Sequence, residues 1–160
     1  MKKSFRFFIL FCLFVLIPFV CFSAGTVTQS IVKQGNNTGV LVLTFEWVGD
    51  AANGTVPNTD TSAEITKAIE GMRVYQVITV PGAVIPTDKY DIVLNDADSI
   101  DIMGGTLIDR SQTDKELAIP MLDATNIIPG QRIVNGKITL VITNQNVASA
   151  TGIVKIFLVR

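Results

Sequence analysis

Carboxylates are the only dense chemistry in this 160-residue chain. Asp88, Asp91, Asp96, Asp98 and Asp101 lie close together, and three of them, Asp96, Asp98 and Asp101, fall within six residues. A hard cation takes oxygen ligands from a tight loop, so these three are candidate calcium ligands. The run departs from the EF-hand pattern, because the sixth position holds Asp101 where that loop needs glycine and the twelfth holds Leu107 where it needs glutamate. Asp and Ser at a hairpin tip are also ordinary turn formers that accept hydrogen bonds from their own backbone. Turn chemistry and a metal site both fit the residues. Paired carboxylates can do glycosidic acid–base work as well, but such enzymes usually carry a sugar platform rich in aromatics. After residue 24 the aromatics are Phe45, Trp47, Tyr75, Tyr90 and Phe157, each inside a strand candidate. The chain has no histidine, and its two cysteines, Cys12 and Cys21, both lie in the first 24 residues. Beyond that segment the residues for a histidine triad, a thiol nucleophile or a usual zinc site are missing. The expectation is a protein that is not an enzyme.

The acidic run belongs to Val80–Gly105, the stretch around which the other strands are expected to pack. It reads as a Pro/Gly-marked turn, a strand over Tyr90–Asn95, an acidic connection over Asp96–Ser99, a second strand over Ile100–Met103 and a Gly104-Gly105 exit. On that second strand Asp101 would project opposite Ile100 and Ile102.

Residues 1–24 are expected to stand apart. Lys2, Lys3 and Arg6 form a positive start, Phe7 to Phe22 is almost continuously apolar, and Ser23, Ala24 and Gly25 are small. This is the anatomy of a secretory signal peptide, with an apolar core somewhat short for a spanning helix. Cleavage after Ser23, Ala24 or Gly25 is compatible with the residues, and the alternative is an uncleaved membrane anchor. Lipidation at Cys21 is disfavoured because Pro18-Phe19-Val20 lacks the expected small residues. Three of the thirteen basic residues and none of the fourteen acidic ones lie in this segment, so the remainder carries ten against fourteen, a formal charge of −4. No Lys/Arg cluster remains there, which disfavours nucleic-acid binding through a basic face. A domain over 25–160 without a disulfide must be held by its core, and a chain of that length can bury an adequate one.

The rest of that domain reads as short strands split by turn residues. Thr26–Lys33 is β-prone. In Val40–Val48, Leu41, Leu43, Phe45 and Trp47 share one face. Gly49–Ser62 is a polar loop able to move or to touch a partner. Ala63–Met72 is ambiguous: Ile65, Ala68, Ile69 and Met72 have helical spacing, but Gly71 weakens a helix and the neighbours are strands, so strand is favoured. In Met72–Val80, Met72, Val74, Gln76, Ile78 and Val80 should alternate with Arg73, Tyr75, Val77 and Thr79. Lys115–Leu122 is a strand suited by Pro120 to an edge or a bend, and Pro129-Gly130 marks a turn. Lys137–Thr143 and Gly152–Val159 close the chain, the latter apolar enough to be buried or covered by a partner. The sequons at Asn36 and Asn53 lie in loops and matter only in a host that glycosylates. About eight strands without a long amphipathic helix predict an all-β, antiparallel β-sandwich or jelly-roll-like domain.

The run Ile85–Gly105, with Pro86-Thr87-Asp88 leading to Tyr90-Asp91 and Asp101-Ile-Met-Gly-Gly105 at its exit, resembles a group of small tailed-phage proteins. Val77–Gly82, Gly136–Asn144 and Gly152–Ile156 look similar to their flanks, so the resemblance spans roughly 39–160. It implies a virion-associated β-sandwich that decorates or bridges a capsid or tail, and it brings no catalytic residues. A signal-like N-terminus departs from that group, because virion components assemble in the cytoplasm. Two expectations follow. One is a structural protein, virion-associated or surface-layer-like, that self-associates or joins a larger assembly through edge strands and loops. The other is a secreted ligand-binding module using the 49–62 loop and the hairpin tip, with calcium as a possible stabiliser. Either is exported, to the periplasm, cell surface or medium, with the virion as the alternative location. A membrane is contacted only through an uncleaved N-terminus.

Overall fold

A computed structural model of the chain describes residues 24–35, 39–123 and 128–160. The signal peptide or anchor expected over 1–24 therefore lies, but for Ala24, outside the described residues, as does the Asn36 sequon. Apolar alternation builds the long strands. In β2 (Val40–Val48) Leu43, Phe45 and Trp47 are buried, and in β11 (Thr151–Val159) every second residue from Gly152 to Leu158 is. Their partners are β1 (Thr26–Gln34), β4 (Arg73–Pro81), β6 (Glu116–Ala118) and β9 (Arg132–Ile133). The strand order is β1-β2-β11-β4-β6, with β9 on β4, and every pairing is antiparallel. A smaller sheet runs β3 (Thr59–Asp60), β10 (Thr139–Thr143), β5 (Asp91–Asn95), and β7 (Met121–Asp123) pairs with β8 (Ile128–Pro129). Ile92, Leu94, Leu140 and Ile142 of the smaller sheet join Leu43, Phe45, Trp47, Val74, Val154, Ile156 and Leu158 of the larger in one core cluster. The fold is all-β and antiparallel with one short helix among the described residues, and none of its helices is long and apolar enough to cross a membrane.

The structure corrects five expectations. The molecule is organised around β2, β11 and β4, since β5 of the acidic hairpin sits at the edge of the smaller sheet. Second, Ala63–Ile69 is a helix, α1, and not a strand. Ser62 caps it, its hydroxyl accepting the Ile65 N–H at 3.3 Å, and Ile65 and Ile69, one turn apart, are buried together. Gly71 weakens nothing, because it lies beyond the helix at φ +77° and donates its N–H to Val134 O at 3.0 Å.

Third, alternation along β4 changes phase. Leu158 faces Val74 but Phe157 faces Gln76, so Tyr75 is an extra residue, and Val77 and Thr79 replace Ile78 and Val80 on the buried side. Fourth, the 115–122 strand divides at Pro120, which cannot donate to a ladder, into β6 and β7. Fifth, the 49–62 segment is pinned. Val56 and Thr61 are buried, β3 pairs with β10, and Asp50 Oδ1 accepts the N–H groups of Ala52 and Asn53 at 2.7 and 3.1 Å.

Candidate functional site

The acidic turn spends its carboxylates on its own backbone. Asp96, at the end of β5 and only 8% exposed, accepts the N–H groups of Asp98 and Ile100 on Oδ1, both at 2.9 Å. Its main chain closes the same turn, with Ser99 N–H to Asp96 O and Asp96 N–H to Ile100 O, both at 3.0 Å, and Ser99 is left-handed at φ +63°. Asp98 points elsewhere: its Oδ2 accepts from Asn135 Nδ2 at 2.6 Å, while Ala97 N–H reaches Asn135 O at 3.1 Å. Asp101 caps a second turn, Oδ1 accepting Met103 N–H at 2.9 Å and Oδ2 accepting Gly105 N–H at 2.6 Å.

That cap dissolves the expected second strand. Only the Asn95–Asp101 bridge forms, and the chain from 102 to 107 turns across the core. Ile100 and Ile102 consequently do not share a face, since Ile100 is exposed and Ile102 buried. Asp91 accepts from Asp109 N–H at 2.8 Å and from Asn144 Nδ2 at 2.6 Å, and Asp88 is exposed on the turn before β5. The three candidate calcium ligands thus serve three different sets of partners. Among the described residues no three acidic, histidine or cysteine side chains group so as to hold a metal ion. Asp96→Ala is expected to cost about 2 kcal/mol, because two backbone donors lose a charged acceptor in a largely buried place. The melting temperature of the parent protein should be the same in millimolar calcium and in chelator; a rise of several degrees with calcium would contradict the turn-cap assignment.

Away from the acidic turn, sequence reasoning missed the most connected polar side chain among the described residues. Gln145 follows β10 and is buried; its Nε2 donates to Gly54 O at 2.9 Å and Val147 O at 2.7 Å. Its Oε1 accepts from Thr87 N–H at 2.8 Å and Thr87 Oγ1 at 3.0 Å, so one amide joins the 49–55, 82–89 and 144–151 segments. A single glutamine in a short connection carries no periodicity or motif that could have flagged it.

Trp47 and Tyr90 meet nearby in the core with ring centroids 5.7 Å apart and planes at 59°. Burial is the main cause pushing the Tyr90 phenol up to about 12 from its ordinary 10.0. Above the ordinary value the unfolded chain releases this proton and the folded chain keeps it, so stability should fall between about pH 10 and about pH 12, by on the order of 2 kcal/mol. Denaturant melts across that range, with phenolate absorbance followed in parallel, check the sign. Ionisation of Tyr90 in the folded protein near pH 10 would contradict it.

The described surface includes two open concavities. One of about 300 Å³ is lined by Tyr75, Gln76, Ile119, Pro120, Pro129, Gly130 and Gln131. The other, about 500 Å³, lies on the outer face of the larger sheet against Val32, Lys33, Gln34, Val42, Thr44, Lys155 and Phe157. On that face Val42, Ile78, Val80, Ile153 and Phe157 are half-buried and Leu117 is exposed, with Thr44, Glu46 and Lys155 among them. No protein-family model, curated protein or solved structure matches the chain.

Proposed function

We propose that this protein is a non-catalytic assembly component, a two-layer β-sandwich that acts through protein–protein contacts in a virion or a surface-layer-like structure. The observation that carries the reading is the outer face of the larger sheet, where Val42, Ile153, Phe157 and Ile78 lie on the side of the strands away from the core. Apolar side chains gathered on an outer sheet face mark a protein contact more often than a reaction site. The carboxylates support the same reading, because Asp96 and Asp101 are already engaged in holding turns. The partners are copies of itself or neighbouring proteins of a larger assembly. Nucleic acid is not among them, given ten basic against fourteen acidic residues after position 24. The N-terminal segment directs export to the periplasm, cell surface or medium and is the only route to a membrane if retained; residence in a virion is the alternative.

Density-gradient fractionation of producing cells tests the reading. The protein should sediment with a particle or surface fraction, and recovery only as a slowly sedimenting soluble species would overturn it. A second reading, a secreted ligand-binding module, is favoured by the concavity at Tyr75, whose ring is half exposed beside Ile119, Pro120 and Pro129.

A further inference from the structure

Every strand edge in the described fold is shortened, interrupted or covered, except one. β6 has three residues and stops before Pro120; β9 has two, with the Arg132 guanidinium folded onto Met121 O at 2.9 and 3.0 Å. In the smaller sheet β3 has two residues. The far side of β5 is satisfied by the 100–110 segment, through Ile102 N–H to Leu94 O and Ile92 N–H to Leu107 O, both at 2.9 Å, and Arg110 N–H to Tyr90 O at 2.8 Å. The exception is β1. It pairs with β2 over nine residues in unbroken register, has no proline or bulge, carries one charge, Lys33, and has no strand on its other side among the described residues. Such an edge is a template for another strand.

We propose that the β1 edge pairs antiparallel with β1 of a second copy, joining two large sheets into one across a two-fold axis at Ser30. The inference rests on the assembly reading and names its first interface. Three features favour a second copy as the occupant. Centred on Ser30, the register sets Thr28 against Val32, Gln29 against Ile31 and Val27 against Lys33, so no charge meets a like charge. The stem of Lys33 would cover Val27, and the mate would complete the half-finished burial of Val27 and Ile31. Finally, an acidic body leaves this strand free of Asp and Glu, so two like-charged copies meet along a strip whose one charge, Lys33, is opposite in sign to the body. A two-fold contact of this kind closes on itself and leaves the outer sheet faces free for further neighbours.

The test uses the full chain in sedimentation velocity over a concentration series, beside Ser30→Asp. Ser30 is exposed, so the substitution should leave the melting temperature nearly unchanged while placing two carboxylates face to face and weakening self-association at least tenfold. A second variant, Ser30→Cys in a chain with Cys12→Ser and Cys21→Ser, should form a disulfide-linked dimer on mild oxidation, whereas Thr113→Cys in the same background should not. Self-association that survives Ser30→Asp, with no Ser30→Cys dimer, overturns the β1 interface and leaves the assembly reading standing on another surface. A monomer at every concentration overturns both.

Discussion

Replacing Gly152 with alanine is expected to destabilise the fold by about 3 kcal/mol. Gly152 lies on the buried side of β11, the central strand of the larger sheet, and the indole of Trp47 fills the space a side chain would take. A Cβ there would sit 2.5 Å from Cζ2, 2.6 Å from Cε2 and 2.8 Å from Nε1 of Trp47. The ring has little room to yield, since Trp47 is 1% exposed and packs against the buried ring of Tyr90. Trp47 is the only tryptophan in the chain, so its fluorescence in a urea titration reports the loss directly. A change below about 0.5 kcal/mol would mean that the indole is mobile and that the core is not tightly packed at this point.

Gln145→Ala should cost a similar amount, about 3 kcal/mol, for a different reason. The alanine variant leaves the buried carbonyl of Gly54 and the part-buried N–H of Thr87 without their partner, while the Val147 carbonyl keeps the Ala150 N–H at 3.2 Å. Gln145→Glu separates hydrogen bonding from packing. Its carboxylate would face two carbonyl oxygens, so neutral-pH stability should drop at least as far. It should partly return as the pH falls, because protonation restores a donor and the folded-state pKa of such a glutamate is raised. Thermal melts of both variants at neutral and mildly acid pH check this, and a Gln145→Glu loss independent of pH would contradict the amide's assigned role.

Where one face of a strand is buried, the sequence declared it. Leu43, Phe45 and Trp47, and likewise Ile138, Leu140 and Ile142, follow the period of two that a half-buried strand imposes. Long-range pairing left no such trace. The bulge at Tyr75 comes from the register of β4 against β11, two segments far apart in the chain, so local alternation grouped Val74 with Ile78 and Val80, whereas Val74 shares the buried side with Val77 and Thr79. Helix α1 was legible in principle, with Ser62 as its cap and Ile65 and Ile69 at helical spacing, but the weight given to Gly71 inside the segment hid a glycine that belongs after it.

The acidic turn shows the same division. That Asp96 would make a turn was readable from residue type, whereas the engagement of Asp98 with Asn135 depends on a contact 37 residues away. A metal reading of such a triplet cannot be decided without knowing where those oxygens already bond. Gln145 was beyond reach for the same reason: its partners at Gly54 and Thr87 are 91 and 58 residues away.

The most direct measurement of the central claim, that this protein works through its surfaces, is the molar mass of the purified full-length chain by light scattering from sub-micromolar to hundreds of micromolar. The account predicts a concentration-dependent rise from 17.3 kDa, or from the processed mass, to a defined multiple. A single monomeric mass throughout would contradict it.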